Sequence, residues 1–303
     1  MKTTVDTVAV VQWRLDLADF ASVEAFGKKL DEVLFKIRCS SKENLLVAFP
    51  EDLVTFGILT ELKAAGIENV GLEEALRKYV NKKLFRLVIP KIRMGTWVGA
   101  VFNNSTNLME EYFSLYEEAA QKYNCFIVAG SGLVADGREI YNEARGYGKN
   151  NSKTIQRKVH LIDLEGKDGL GLTPASLDDI SLWQTSLGTV GVAICYDGFF
   201  QDIRDKLQDC DIFVQPSANP GPWTKEQQVD WLLSAYESVQ SVSHVVLNPM
   251  LTGKVLGIEF FGQSSILVRG ENRNLGYLDT GALPNFVQIA KNPVEEEILM
   301  WHL

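Results

Sequence analysis

Residues 190–200 read VGVAICYDGFF. Val190, Val192 and Ile194 alternate as the apolar positions of a buried strand, and Gly198 lets the chain bend away after it. The strand therefore delivers Cys195 to its carboxyl end, where α/β proteins collect ligand chemistry. Two readings of that cysteine stand at this point: a small buried hydrophobe, the common fate of a free cysteine, or a thiol placed to react. The rest of the chain decides between them.

The chain has 303 residues, 46% hydrophobic and 23% charged, which is ordinary globular composition. That length buries a large core as one α/β domain or two smaller ones. Formal net charge is −9, and no basic block is read along the chain, so nucleic acid is not expected as a partner. Met-Lys-Thr-Thr is followed, three residues on, by VAVVQW, without the apolar core of a signal peptide. No run of eighteen apolar residues offers a membrane span, and no membrane partner is expected. Cys39, Cys125, Cys195 and Cys210 form no CxxC pair, and His160, His244 and His302 lie far apart. This argues against a metal site or a disulfide framework and for a reducing, cytoplasmic compartment.

Outward from the opening stretch, short apolar runs alternate with helical patterns. Strands are expected at 8–13, 44–51 and 125–131, with Ser22 capping a helix over roughly 22–37 and a second helix over 106–122. EIYNEARGYG (139–148) and TIQRKVHLI (154–162) read as a hairpin about Lys149-Asn150-Asn151. Further strands are expected at 212–218, 244–250, 260–268 and 284–290, with a helix over 224–242 and a polar turn in RGENRN (269–274). Helices would cover one face of each of two sheets packed face to face. No linker divides the chain, so 1–303 reads as one domain. Residues 53–100 interrupt the alternation with a helical pattern and the apolar patch MGTWVGAVF; they read either as an insertion over a site or as an extra pair of packing helices.

Three strand ends bear comparison. The strand at 44–51 ends in Glu51, that at 154–162 carries Lys158 on the same face as His160 by the two-residue period, and that at 189–195 ends in Cys195. A carboxylate, an ammonium and a thiol make a nucleophilic site that needs no histidine. The carboxylate accepts the thiol proton, the ammonium favours thiolate and oxyanion alike, and the sulfur attacks a carbonyl carbon.

AFPE (48–51), QRKVHL (156–161) and GVAICYD (191–197), in that order, resemble the three signature segments of the nitrilase, or carbon–nitrogen hydrolase, superfamily. Glu51 and Lys158 stand 107 residues apart, lengthened by the 53–100 segment, and Lys158 and Cys195 stand 37 apart. VAVVQW, IVAGS (127–131), PSANPG (216–221) and FFGQSSILV (260–268) also resemble family segments, so the likeness covers nearly the whole chain. It moves the reading of Cys195 to the nucleophile. The resemblance implies a four-layer αββα sandwich, commonly paired as a homodimer or higher homo-oligomer, with no cofactor. It further implies Glu51 as general base, Lys158 as oxyanion cation and Cys195 as nucleophile, with the Tyr196 N–H completing the oxyanion hole. The chemistry would take a small-molecule amide to acid plus ammonia or amine through a thioester.

Many members carry a second glutamate between the lysine and cysteine segments. Glu165 and Asp168 are the candidates, and Glu165 is preferred because it keeps the side-chain length. The arginine and proline of the amidase pattern CYDxRFPE are missing from the stretch Gly198–Asp202. True nitrilases tend to read CWE, so the Tyr-Asp pair places the chain nearer the amidase and carbamoylase branches. Phe199, Asn219 and Trp223 are expected to contact substrate, Phe200 to pack, and His160 to be structural. Nitrile or N-carbamoyl hydrolysis on the same site and a decayed nitrilase-like scaffold are the alternatives. A papain-like protease would need a histidine base in a motif the three histidines do not make.

Overall fold

A computed structural model describes residues 5–273 and 283–303. The chain enters through β1 (Thr7–Gln12) and the two-residue β2 (Arg14–Leu15). It continues into α1 (Val23–Ser40), capped by the Ser22 hydroxyl accepting the Ala25 N–H at 3.1 Å. After β3 (Leu45–Ala48) come α2 (Ile58–Ala64), α3 (Leu72–Met94), α4 (Trp97–Asn104) and α5 (Thr106–Lys122). Next are the antiparallel strands β4 (Phe126–Asp136), β5 (Glu139–Tyr147) and β6 (Lys153–Arg157). A long connection leads to β7 (Trp183–Thr185), β8 (Gly188–Val192), α6 (Gln201–Lys206), β9 (Ile212–Val214) and β10 (Ser217–Ala218). Then follow α7 (Lys225–Ser241), β11 (Val245–Asn248), β12 (Met250–Val255) and β13 (Ile258–Phe260). The chain ends with β14 (Ser265–Arg273), β15 (Leu283–Ile289) and β16 (Glu297–His302).

Two six-stranded sheets form, ordered β16-β1-β3-β4-β5-β6 and β15-β14-β11-β9-β8-β7. Alternation along the central strands sorts the layers. Val8, Val10, Leu46 and Ala48 meet Val190, Val192, Ile212 and Val214 between the sheets. Their neighbours Ala9, Val11, Leu45 and Val47 face α1 and α5 instead, while Phe213 and Val246 face α6 and α7. Both faces of each sheet are thus apolar and both are covered, which is the four-layer αββα sandwich. Residues 53–100 join the helical layer of the first sheet, where Leu59, Leu62, Tyr79 and Leu87 share a core with Val11 and Phe49.

Several local expectations are corrected. The strand carrying Lys158 stops at Arg157, so the two-residue period does not reach His160. The strand before Cys195 stops at Val192. Residues 269–273, read as a turn, continue β14 beyond its pairing with β11, which stops at Val268; Asn274 lies outside the described residues. β16, which closes the first sheet against β1, was not foreseen at all. The reading of no basic block also fails locally. Seven Lys and Arg residues fall between Glu74 and Glu110 with no acid among them, all of them on α3. Among the described residues no helix is long and apolar enough to cross a membrane.

Candidate active site

Lys158 leaves β6 with its N–H donating to the Asn142 carbonyl at 2.9 Å, one strand over. Its side chain turns inward and is 1% exposed. Nζ lies 2.8 Å from Glu51 Oε1 and 2.9 Å from Glu165 Oε1. An ammonium and two carboxylates survive burial only when nearly every lone pair and proton is used. Here Asn142 Nδ2 donates to both carboxylates at 2.9 Å. Glu51 Oε2 accepts the Ala218 N–H at 3.0 Å, and Glu165 Oε2 accepts the Ile162 N–H at 3.0 Å.

Cys195 opens a short 3-10 turn, Cys195–Phe199, with φ of +51°. That left-handed conformation is strained for a residue with a Cβ, and it is held from both sides. The Cys195 N–H donates to the Pro216 carbonyl at 2.7 Å, and its carbonyl accepts Gln215 Nε2 at 2.9 Å. Gly198 makes room for this: a Cβ there would stand 2.3 Å from the Gln215 side-chain amide. Cys195 Sγ lies 3.7 Å from the Ala218 carbonyl, so the backbone of one residue touches the thiol through its C=O and Glu51 through its N–H.

The electrostatics follow from burial. Burial pushes the Cys195 thiol well up, the Glu51 carboxylate adds to this, and Lys158 opposes it. Burial would lower Lys158, but Glu51, Cys195 and Glu165 outweigh it and hold the ammonium well above its ordinary range. Burial, and then the Glu165 charge against the pull of Lys158, raises Glu51. Burial thus works against the ready thiolate expected from an adjacent ammonium.

Two spaces meet at the cluster. A mostly apolar cavity of about 110 Å³, walled by Phe56, Leu72, Leu76, Phe102 and Phe260, has Glu51, Lys158 and Glu165 in its lining. A wider groove of about 550 Å³ runs past Cys195, Tyr196, Phe199, Asn219, Asp230 and Trp231. Ile162, Ala218 and Pro220 border both.

Of the residues singled out from the sequence, Glu51, Lys158, Glu165 and Cys195 come together, and Asp168 is exposed. Phe199 lines the groove, edge-to-face with Trp231 at 4.9 Å. Asn219 lines it too, but its amide is engaged by Gln227 at 2.9 Å and by loop carbonyls. Trp223 lines neither space, since its Nε1 turns to Gln263 Oε1 at 2.9 Å. His160 stacks on Phe200 at 3.8 Å and its Nε2 stands 3.1 Å from Asp202. Asn142, Gln215 and the Ala218 peptide were missed. Only Asn142 left a signal, an asparagine on a strand one register step from apolar Ile140 and Ala144.

Solved structures with a similar fold include members of the nitrilase superfamily. Nit3 of Saccharomyces cerevisiae, a member of its branch 10, is 19% identical with a TM-score of 0.61, covering 98% of this chain and 90% of that one. A mutant of the Nesterenkonia sp. AN1 amidase, showing covalent addition of the acetamide moiety of fluoroacetamide at its active-site cysteine, is 15% identical. It has a TM-score of 0.64 and covers 100% of this chain and 91% of that one. The carbon-nitrogen hydrolase family model matches residues 41–267, and the chain belongs to that family. Curated relatives include the probable hydrolase YhcX of Bacillus subtilis, 32% identical over 98 residues, 32% of this chain and 18% of that protein. The omega-amidase NIT2 of Danio rerio is 30% identical over 117 residues, 36% of this chain and 42% of that one. The chain thus spans less than half the length of these two relatives.

Proposed function

We propose that this chain hydrolyses the carbon–nitrogen bond of a small amide through a thioester on Cys195. The observation that carries the reading is the adjacency of Glu51 to both Lys158 Nζ, at 2.8 Å, and the N–H of Ala218, the residue whose carbonyl contacts the Cys195 sulfur. Glu51 takes the thiol proton as sulfur attacks the amide carbon, and the carbonyl oxygen gains the negative charge. Lys158 and the Tyr196 N–H, at the start of the 3-10 turn where helical N–H groups lack internal partners, stabilise that oxyanion. Collapse expels the amine, which leaves with the proton from Glu51, and the acyl group stays on sulfur. Glu51 then takes a proton from water, the water attacks the thioester, and the thiol is restored. Glu165 and Asn142 hold Glu51 and Lys158 in register without touching substrate. The covalent adduct at the Nesterenkonia amidase's cysteine supports the nucleophile by analogy of fold.

The acyl part of the substrate is neutral and apolar, since the cavity beside Lys158 is walled by hydrocarbon. The segment 53–100 contributes Phe56, Leu72 and Leu76 to that wall and so acts in selecting the acyl group. Incubation with a panel of small amides, acid quench and peptide mass mapping tests the reading. An acyl mass increment on Cys195 with stoichiometric amine release is expected. A chain that releases amine without ever carrying an acyl group on Cys195 would not follow this route, and one that does neither would be a scaffold.

A further inference from the structure

α3 is apolar on two opposite sides. Its inner side buries Ala75, Tyr79 and Leu87. On the outer side Phe85 is 98% exposed, Ile89 76% and Ile92 79%, with Val88 beside them at 41%. Spacings of three and four residues put these on one helical face. Single exposed apolar residues are normal on a protein surface, but a contiguous stripe marks a contact face. At about 100° per residue, Arg86 and Arg93 run along one border of the stripe and Arg77 along the other. Trp97, part-exposed at the start of α4, extends the patch under Lys91, whose Nζ lies 5.8 Å from the ring centroid. The run from Ala75 to Met109 holds seven cations and no acid, in a chain of net charge −9.

We propose that the outer face of α3 docks on an anionic lipid surface. A basic helix with an apolar stripe lies in the headgroup region with its apolar side chains below the phosphates, while Lys and Arg reach up to them. Such a surface satisfies both halves of the pattern. A second copy paired across a two-fold axis would set this face against itself, cations against cations. A nucleic acid would take the cations but leave Ile89 and Ile92 in water, since aliphatic side chains offer bases nothing to stack on. The opposite side of the same helix contributes Leu72, Ala75 and Leu76 to the apolar cavity. Docking therefore brings the cavity within about one helix diameter of the lipid.

Flotation of the full chain with vesicles of phosphatidylcholine, alone or mixed with phosphatidylglycerol, tests this without any substrate. Binding to the anionic vesicles should exceed binding to the neutral ones by about tenfold or more and weaken as salt rises. Phe85→Ser/Ile89→Ser/Ile92→Ser should abolish it, and Arg77→Gln/Arg86→Gln/Arg93→Gln should remove its dependence on phosphatidylglycerol. All six side chains lie on the solvent side of α3, so circular dichroism of both variants should match the parent. The proposal falls if the parent stays unbound on anionic vesicles or if the serine variant floats like the parent. It also falls if a parent dimer becomes monomeric in the serine variant, which would assign the face to a second copy. RNA displacing the protein from vesicles while binding the serine variant undiminished would assign the cations to nucleic acid and overturn it as well.

Discussion

The Asp197 carboxylate accepts the His160 N–H at 2.7 Å, and its other oxygen accepts the Val159 N–H at 3.1 Å. Those two amides directly follow Lys158, and Asp197 lies two residues after Cys195. One buried carboxylate thus ties the segment that presents the ammonium to the turn that presents the thiol. Burial pushes this carboxyl up to about 6, with the two N–H groups and Lys158 opposing the rise. At neutral pH it is ionised, and charge-assisted bonds of this kind are about twice as strong as neutral ones.

Asp197→Ala should therefore act on geometry more than on binding. Two part-buried N–H groups lose their acceptor, at a cost of about 2–4 kcal/mol in stability. The ammonium and sulfur also lose their common anchor, so kcat should fall at least tenfold with KM little changed. Urea denaturation and steady-state kinetics read the two effects. Full activity in this variant would mean the two segments are held by packing alone.

The sequence carried the layers and the candidate trio because both are written locally. Period-two runs such as VAVVQ are apolar on both faces, which announces a covered sheet, and Glu51, Lys158 and Cys195 each stand within three residues of a strand end. What was not legible depends on contacts between distant segments. Gln215 matters because it holds the Cys195 carbonyl across a gap that only Gly198 permits, and nothing in either local pattern says so. Trp223 looked like a pocket residue by proximity to PSANPG, yet a single bond to Gln263 turns it away. The outer stripe of α3 escaped notice because apolar residues on two opposite sides cancel the one-sided periodicity that flags an amphipathic helix.

Alkylation should separate reactive from essential thiols. Cys39 is exposed, while Cys125 and Cys210 are pushed up to about 12 by burial. Iodoacetamide should modify Cys39 first, with no loss of activity, and inactivation should track the slower modification of Cys195. Peptide mapping at each time point checks the order. Inactive protein with Cys195 unmodified would move the nucleophile elsewhere.

Lys158→Met should lower kcat by about a hundredfold or more while leaving KM within a few-fold. An ammonium aimed at the developing oxyanion acts mainly in the transition state. The substitution also leaves Glu51 and Glu165 buried without their counter-charge, which should cost several kcal/mol, about 3–5 for a broken buried pair. Kinetics on variant shown folded by circular dichroism decides it. A near-normal kcat would remove the lysine from the oxyanion site.

Asp52→Asn should stabilise the protein in a pH-dependent way. Burial, then the charges of Glu51 and Glu165, lift the Asp52 carboxyl from 3.8 to about 8. A raised folded-state pKa contributes stability that is fully present below the unfolded value and is lost as pH rises through the folded one. The wild-type protein should thus lose stability from this group between about pH 4 and pH 8, whereas asparagine cannot ionise. Asparagine also tolerates the left-handed φ of +59° at this position and can keep the Thr55 hydrogen bond. The stability gap in favour of the variant should open from about pH 4, widen to about pH 8 and then level off. Urea melts across that range measure it, and a gap independent of pH would show that Asp52 ionises normally.

Neutral aliphatic or aryl-alkyl amides should have higher kcat/KM than N-carbamoyl amino acids or ω-amides of dicarboxylates. No arginine stands in Gly198–Asp202, so a bidentate clamp for a substrate carboxylate is missing there. The groove past Cys195 adds Asp230 and Glu237 to its lining and no Lys or Arg, which repels an anionic substrate. Arg204 is the nearby candidate clamp, and it is already engaged: Nη1 donates to the Gly198 carbonyl at 2.9 Å and Nη2 pairs with Glu237 at 3.1 Å. To hold a substrate it would have to abandon the turn that carries Cys195. Leu76→Asp, which sets a charge in the apolar wall, should depress turnover of the longer neutral amides more than that of the shortest one. Should the carboxylated compounds be preferred, and should Arg204→Ala remove that preference, Arg204 would be the anion clamp and the apolar reading of the substrate would be wrong.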